Sequence, residues 1–441
     1  MIDGLLDEAP AEVLKSQLTP GFAREVVERL QEGMRDLPFH WTPQIPLAPL
    51  ILSRTGYARM QRTALALLNL LREASWSLGA TSAERAEQLG LAREHLPLFG
   101  DEATEWEFCT WQSRPDTVLT EHGPRFIEFN VSAAIGGIPH TSYIQRAWAS
   151  IYAEHDLGYA DPFQVRAAAL DRLCARRSLD RSVAVVEEPA NIQAEPEVWQ
   201  TQVTDFRHRG FRSDSMQVEE LAQRAAADGA RYGIALKQFV SQDRLDAGQS
   251  LDPVVAAADA AELTLAPHSS YLLANKQTLA LLSEGLPWMS DQDRRLVAEY
   301  VPWSRVVYQR FVNYRTKRWD LGELLVRERE RFVLKMAAGH SGQGVLVGKF
   351  ARPSDWADAV GRSLGSGSWI VQEYVKPASM PMRLWDVASE EVVEIGLSGV
   401  VSPYIVDGKD AGCMFRYDVL NANSVVTMTR PSTRFNTVMT A

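Results

Sequence analysis

The sequence predicts an α+β fold, and three observations carry the prediction. Helical periodicity dominates the first hundred residues, strand patterns gather in two separate blocks, and no regular strand–helix alternation runs through the chain as a single doubly wound sheet requires. With 441 residues, two or three domains are expected, each with volume for a buried core.

Phe22–Arg35 and Arg59–Arg72 repeat apolar residues at three- and four-residue spacings and predict helices. Leu37–Pro49 holds four prolines and predicts an extended connection. A further helix is expected over Ala83–Arg93. From Trp106 the pattern becomes that of strands: Trp106–Gln112, Thr117–Thr120 and Arg125–Val131, with the turn residues Glu121-His122-Gly123-Pro124 between the last two. The small residues Ser132–Pro139 lead to a helix starting near Thr141. Ser182–Val186 and Tyr232–Val240 read as strands among helices around Glu197, Val218–Ala227 and Val254–Ala261, a Rossmann-like half. Helices are expected over Leu272–Leu282 and Glu323–Arg331. Strands return at Phe332–Met336, Gly344–Lys349, Trp369–Val375, Val392–Val401 and Gly412–Val419.

Composition excludes several classes. Hydrophobic residues make up 46% and charged residues 23%, ordinary globular values. The net charge of -10 is opposite to the basic excess of a nucleic-acid-binding protein. Cys109, Cys174 and Cys413 lie far apart and suggest neither a disulfide framework nor a zinc site. Met1-Ile2-Asp3-Gly4 places an acid where a secretory signal needs basic residues, and apolar runs such as Ala64–Leu71 are too short to span a bilayer. A soluble, cytoplasmic chain without a membrane partner is expected, and a homodimer is compatible with it.

Four segments carry candidate chemistry. Strand alternation puts Glu128 and Asn130 on one face, with Ile127, Phe129 and Val131 on the other. A three-residue loop Glu121-His122-Gly123 would pair Thr120 with Pro124, hence Asp116 with Glu128 and Arg114 with Asn130. Opposed carboxylates repel unless a cation lies between them. Two carboxylates and an amide oxygen suit Mg²⁺, with Arg114 placed to neutralise a phosphoryl group. A solvated hairpin is the other reading of these residues. Second, Lys335 sits inside the apolar strand Phe332–Met336 and calls for an anionic partner. The loop after it, with Gly339, Ser341, Gly342 and Gly344, can surround phosphate oxygens but lacks the Walker pattern; an exposed lysine on a glycine-rich hairpin is the alternative. Third, Lys276 follows Ala274-Asn275 at a helix start, where it reads either as a phosphate ligand or as a surface lysine. Fourth, the strand Trp369–Val375 turns polar at Gln372, Glu373 and Tyr374, a hinge that can offer backbone groups to adenine and a carboxylate to ribose.

Together, and in this order, these features resemble a circularly permuted ATP-grasp ligase, of the group that includes glutathionylspermidine synthase. That family has Arg-x-Asp followed by Glu-x-Asn at the same separation as Arg114 and Glu128, then an Asn-Lys helix start, a strand lysine before a Gly-rich loop, and a Gln-containing hinge strand. Finding Glu-x-Asn before the lysines is the permuted order. Val301-Pro302-Trp303-Ser304-Arg305 also resembles a Val-Pro-Trp-Thr-Arg segment of permuted members. The similarity runs from about Arg114 to Gln372. One departure is Lys335-Met336 in place of Lys-Pro; the pattern of residues 1–104 is also not that of the N-terminal cysteine amidase of bifunctional relatives, so amide hydrolysis is not expected.

The resemblance implies an ATP-grasp-type body with 1–104 as a helical N-terminal region, 105–180 carrying the metal hairpin, 181–268 a Rossmann-like subdomain, and 269–441 the nucleotide-binding lobes. It implies ATP and Mg²⁺ as cofactors. Asp116, Glu128 and Asn130 would hold the metal, Arg114 would be catalytic, and Lys276, Lys335, Gly339, Ser341, Gly342, Gly344, Gln372, Glu373 and Tyr374 would bind nucleotide. The implied reaction joins a small carboxylate to an amine through an acyl phosphate, with amino acids or peptides as substrates. Gly339–Gly344 would act as a lid and Ser132–Gly137 would line the acceptor side, while Arg383, Lys409, Arg416 and Arg434 are candidates for holding a carboxylate. A phosphotransferase or cyclase that activates a carboxylate, and a non-catalytic nucleotide-binding scaffold, remain open. A Rossmann dehydrogenase is disfavoured because no Gly-x-Gly-x-x-Gly follows an early strand.

Overall fold

A computed structural model describes residues 14, 18–37, 43–228, 231–258, 260–339, 342, 344–418 and 432–441. The first helices form where the apolar stripes are. Pro20–Gly33 starts at Thr19, whose Oγ1 accepts from Phe22 N, and it buries Ala23, Val26, Val27 and Leu30. Arg54–Trp76 is capped by Ser53 in the same way and buries Met60, Ala64, Leu67, Leu68 and Leu71. The proline-rich connection supplies two short strands, β1 (Gln44–Pro46) and β2 (Leu50–Leu52).

The strand expected at Trp106–Gln112 is instead the end of a helix, Glu102–Phe108, followed by a turn over 109–111, and only Gln112 enters a strand. Asp101 Oδ1 accepts from Thr104 N and caps it, and Glu105 is buried against two backbone donors, Gly100 N and Ser269 N. Capping and those long-range bonds outweigh the local alternation. The hairpin follows as β3 (Gln112–Thr120) and β4 (Gly123–Val131), and then the helices Ile138–Ile151 and Pro162–Arg177.

The Rossmann-like half is a four-stranded parallel sheet: β5 (Ser182–Glu187), β6 (Arg212–Gln217), β7 (Tyr232–Lys237) and β8 (Ala261–Leu265), in the order β6-β5-β7-β8. β6 and β8 escape the periodicity. Arg212-Ser213-Asp214-Ser215-Met216-Gln217 is polar, and β8 directly follows an alanine-rich helix. The helix expected over Leu272–Leu282 is two helices, Ser269–Ala274 and Lys276–Glu284, because Asn275 turns to an extended conformation and caps the second.

After β9 (Ser304–Val306), β10 (Phe311–Tyr314) and β11 (Lys317–Asp320) form a hairpin, followed by β12 (Phe332–Met336), β13 (Val345–Val347) and β14 (Trp369–Glu373). These give an antiparallel sheet in the order β13-β12-β14-β9. The expected strand Val392–Val401 is split, with β15 (Met380–Asp386) pairing with β16 (Glu391–Leu397) while β17 (Gly399–Val406) enters another sheet. β18 (Lys409–Asp418) and β19 (Thr433–Thr440) complete a six-stranded sheet ordered β2-β19-β18-β17-β3-β4.

That central sheet is covered on both faces, and its side chains alternate accordingly. Tyr404, Val406, Met414 and Met439 pack with Trp148, Tyr152 and Phe163, whereas Ile405, Cys413, Phe415 and Val438 pack with Met60, Leu67 and Leu71 of the Arg54–Trp76 helix. The hairpin β3–β4 is thereby fixed at the sheet edge, and β4 faces the small sheet that carries Lys335.

Candidate functional site

The site begins with an irregularity in the hairpin. Thr120 pairs with Gly123, not Pro124, across the two-residue loop Glu121-His122; Gly123 takes φ +109, and Thr120 Oγ1 bonds to both Gly123 O and His122 N. The register then slips between Asp116 and Thr117, so Asp116 faces Glu128 and Arg114 faces Asn130 as expected. The slip is a bulge at Ile127. It corrects the strict alternation: Phe126, Phe129 and Val131 are buried in the core, while Ile127 and Glu128, although consecutive, both line the cleft.

Two arginines and a lysine answer the opposed carboxylates. Asp116 Oδ1 accepts from Arg416 at 2.5 Å and from Ser402 Oγ at 3.0 Å, with Arg114 Nε at 3.7 Å. Burial alone would raise the Asp116 pKa, but Arg416 and Arg114 together hold it below the ordinary carboxylate value. Arg114 also donates to Gly136 O at 2.8 Å, tying the small-residue stretch to the site. Glu128 pairs with Lys276 at 3.0 Å. Asn130 Nδ2 donates to Arg114 O at 3.1 Å.

Lys276 is placed by its own backbone. Asn275 Oδ1 caps the helix through Gln277 N, and Lys276 N donates to Ala337 O at 2.9 Å, which sets the helix start against the end of β12. Its Nζ also donates to Gly339 O. Lys335 is 5% exposed, and its Nζ donates to Gln372 Oε1 at 2.8 Å and to Ile127 O at 3.0 Å. Burial lowers its pKa to about 8 against the opposing pull of Glu128. Gln372 passes the chain on by donating to Ser304 Oγ at 3.1 Å.

At the hinge, Tyr374 N donates to Arg331 O and Glu373 N to Trp303 O, both at 2.7 Å. The Glu373 carboxylate accepts from Tyr314 O–H at 2.6 Å, so a neighbouring tyrosine already engages it. Gly342 and Gly344 take φ +76 and +64, and Gly344 O accepts from Met336 N. Ser341, with His340 and Gln343, lies outside the described residues.

These parts surround one cleft of about 480 Å³. Arg114, Asp116, Glu128, Asn130, Lys276, Lys335, Gly339, Gly342, Gln372, Glu373 and Tyr374 all line it; Gly344 supports the hairpin behind it. Of the four outlying cations, Arg416 lines the cleft, whereas Arg383 pairs with Glu394 at 3.0 Å, Lys409 is exposed, and Arg434 is buried with Nη1 on Thr433 O. Arg416 therefore serves Asp116. Ser304 and Ser402 were not singled out by the sequence. Ser304 lies within the Val301–Arg305 segment that resembles permuted ligases, while Ser402 carries no local signal.

The residues fit both implied groups. Lys335 is a buried ammonium whose two hydrogen-bond partners are neutral carbonyl oxygens, which leaves its charge for an anion. Glu128 and Asn130 offer hard oxygen donors in the cleft beside Asp116, as Mg²⁺ requires. Among the described residues no group of three or more His, Cys, Asp or Glu is placed to hold a metal.

The chain matches no family model, and no curated protein matches it. Solved structures do. A glutathione synthetase-like effector from Globodera pallida superposes with a TM-score of 0.59 at 10% identity, covering 96% of this chain and 98% of that one. A candidate gamma-glutamylcysteine synthetase from Methylobacillus flagellatus KT gives a TM-score of 0.43 at 11% identity, covering 85% of this chain and 87% of that one. The first likeness extends over nearly the whole chain and shows a shared mixed α/β fold.

Proposed function

We propose that the protein is an ATP-dependent carboxylate–amine ligase of the circularly permuted ATP-grasp type, acting on amino acids or peptides. The observation that carries this reading is the meeting of Lys276, Lys335 and Glu128 in one cleft, from three separate elements, with Gln372 locking Lys335 in place. The synthetase-like fold supports it.

The chemistry brings two anions together, a substrate carboxylate and the γ-phosphate of ATP. Lys335 has one N–H left beyond its bonds to Ile127 and Gln372, which suits a phosphate oxygen. Lys276 and Arg114 add positive charge on either side of the hairpin carboxylates. Bound Mg²⁺, held by Glu128, Asn130 and Asp116, would neutralise phosphate charge as the phosphoryl group moves. The acyl phosphate so formed must meet the amine before water does, and the cleft walls of Ile127, Val333 and Ile135 are apolar. The amine then displaces phosphate, giving an amide, ADP and phosphate. Among the described residues no helix is long and apolar enough to cross a membrane.

The test is an ADP-release assay with ATP, Mg²⁺ and panels of amino acids and short peptides, with hydroxylamine added to trap the acyl phosphate. Turnover with hydroxamate formation is expected, and Glu128→Ala should abolish it. Full ADP release by that variant would remove Glu128 from the metal set.

A further inference from the structure

The same cleft extends to a polar cluster outside the nucleotide and metal residues. Lys237 closes β7, and beside it Ser241, Gln242, His268 and Tyr271 line the cleft together with His95. β5 and β7 are neighbours at the point where the parallel sheet reverses its strand order, and the carboxyl ends of strands at such a point are where open α/β sheets take ligands. Lys237 Nζ donates to Ser241 Oγ at 3.0 Å and has two further N–H groups.

The histidines form a directed chain. Gln242 Nε2 donates to Asp246 at 2.8 Å, so Gln242 Oε1 accepts from His95 Nε2–H at 2.8 Å. His95 Nδ1 is then the acceptor for His268 Nε2–H at 3.0 Å. His268 Nδ1 is left as a bare lone pair, and it has no partner although the residue is 4% exposed. Burial lowers the pKa of both rings, which keeps them neutral and the chain in this direction. Tyr271 stacks on both rings, and its buried hydroxyl also has no partner. Buried polar atoms left unsatisfied next to a cleft indicate that a ligand completes them.

The cluster thus offers an ammonium and a phenolic hydroxyl to an anion, and a ring nitrogen to an N–H. A carboxylate next to an amino or amide nitrogen presents both. We propose that Lys237, Tyr271 and His268 bind the carboxylate terminus of an amino acid or short peptide, as the substrate-recognition end of the cleft. The proposal rests on the ligase reading and names which end of the substrate is held. His268 precedes the helix Ser269–Ala274 and Lys276 opens the next one, and both side chains line the same cleft. An amino acid or small peptide anchored here would place its far end at the phosphoryl site.

Competitive acetylation of the full chain with acetic anhydride, read lysine by lysine by mass spectrometry, tests both readings separately. A mixture of the proteinogenic L-amino acids with a dipeptide pool should protect Lys237 by about tenfold, while the corresponding methyl esters should not. Failure of every free carboxylate to protect, or equal protection by esters, overturns the subsite. Protection of Lys276 and Lys335 by an ATP analogue with Mg²⁺ reports on the ligase reading alone, so one can fail while the other stands. With the protecting carboxylate as substrate, Lys237→Met should raise its KM about tenfold or more and leave ATP-analogue affinity in place. An unchanged KM would likewise overturn the assignment.

Discussion

Lys335 Nζ donates to the main-chain carbonyl of Ile127, 208 positions earlier, and that carbonyl belongs to the extra residue of the β4 bulge. A regular hairpin has its carbonyls engaged by the partner strand or turned away; the bulge turns this one toward the lysine. The strand carrying the opposed carboxylates and the strand carrying the buried cation are thereby joined by one bond, with Gln372 as the second support of the same ammonium.

The lysine gives a pH signature to nucleotide binding. Burial lowers its pKa to about 8, so free protein above that pH carries it neutral, and binding a polyphosphate must return the proton. For stability the sign is opposite: the unfolded lysine stays protonated up to about pH 10.4, so its burial penalty is full below about 8 and is relieved as pH rises between those values. Proton uptake on binding an ATP analogue is expected between pH 8 and 9, measured by titration calorimetry in buffers of different ionisation enthalpy. Lys335→Met should abolish the uptake.

Arg416 and Asp116 form the most deeply buried pair of the site. Removing Arg416 leaves the buried Asp116 with Arg114 and Ser402 only, so Arg416→Met should destabilise in urea unfolding, by less than the roughly 3–5 kcal/mol of a fully stranded charge. Asp116 has its pKa held down in the native protein, so its stabilising share is present above the ordinary carboxylate value and is lost as pH falls through the native one. Without Arg416, burial dominates and the loss should begin at higher pH. Arg416→Met with Asp116→Asn should recover part of the stability, because the stranded charge is gone.

How much of this was legible follows residue by residue. The pairing of Asp116 with Glu128 was readable because hairpin register is arithmetic once a turn is chosen; the turn chosen was one residue too long, and the unseen bulge compensated. Strict alternation therefore put Ile127 in the core. Lys335 stood out as a charge in an apolar strand, and its partners came from elements no local pattern connects. Arg416 was visible only as a charge on a late strand, since its meaning depends on β17 and β18 lying beside β3. Trp106–Gln112 misled because its first three residues close a helix that Asp101 caps upstream and its next three form the turn into β3.

The glycine-rich hairpin depends on Gly344. At φ +64 an alanine would be strained, and its Cβ would run into the Met336 side chain. Left-handed backbone alone costs about 1–2 kcal/mol. Gly344→Ala should weaken ATP-analogue binding with little change in the melting temperature of the central sheet. Adding Met336→Ala should restore only the part due to the clash with Met336 Cγ and Sδ, since its Cβ stays, as separate binding isotherms would show.

Deleting Ile127 separates the bulge from the hairpin itself. The shortened strand would read Phe126, Glu128, Phe129, Asn130, Val131 in strict alternation, with Asp116 still opposite Glu128 and the two-residue loop unchanged. The protein should fold, because Phe126, Phe129 and Val131 keep their places in the core. What disappears is the carbonyl that supports Lys335. A hydrogen bond to a charged group contributes about 1.5–3 kcal/mol, so ATP-analogue affinity should fall about tenfold or more. Ile127→Ala keeps the backbone carbonyl and removes only the side chain, so it should bind nearly as the unaltered protein does. Equal loss in the two variants would show that the Ile127 side chain lining the cleft matters and that the bond from Lys335 to its carbonyl does not.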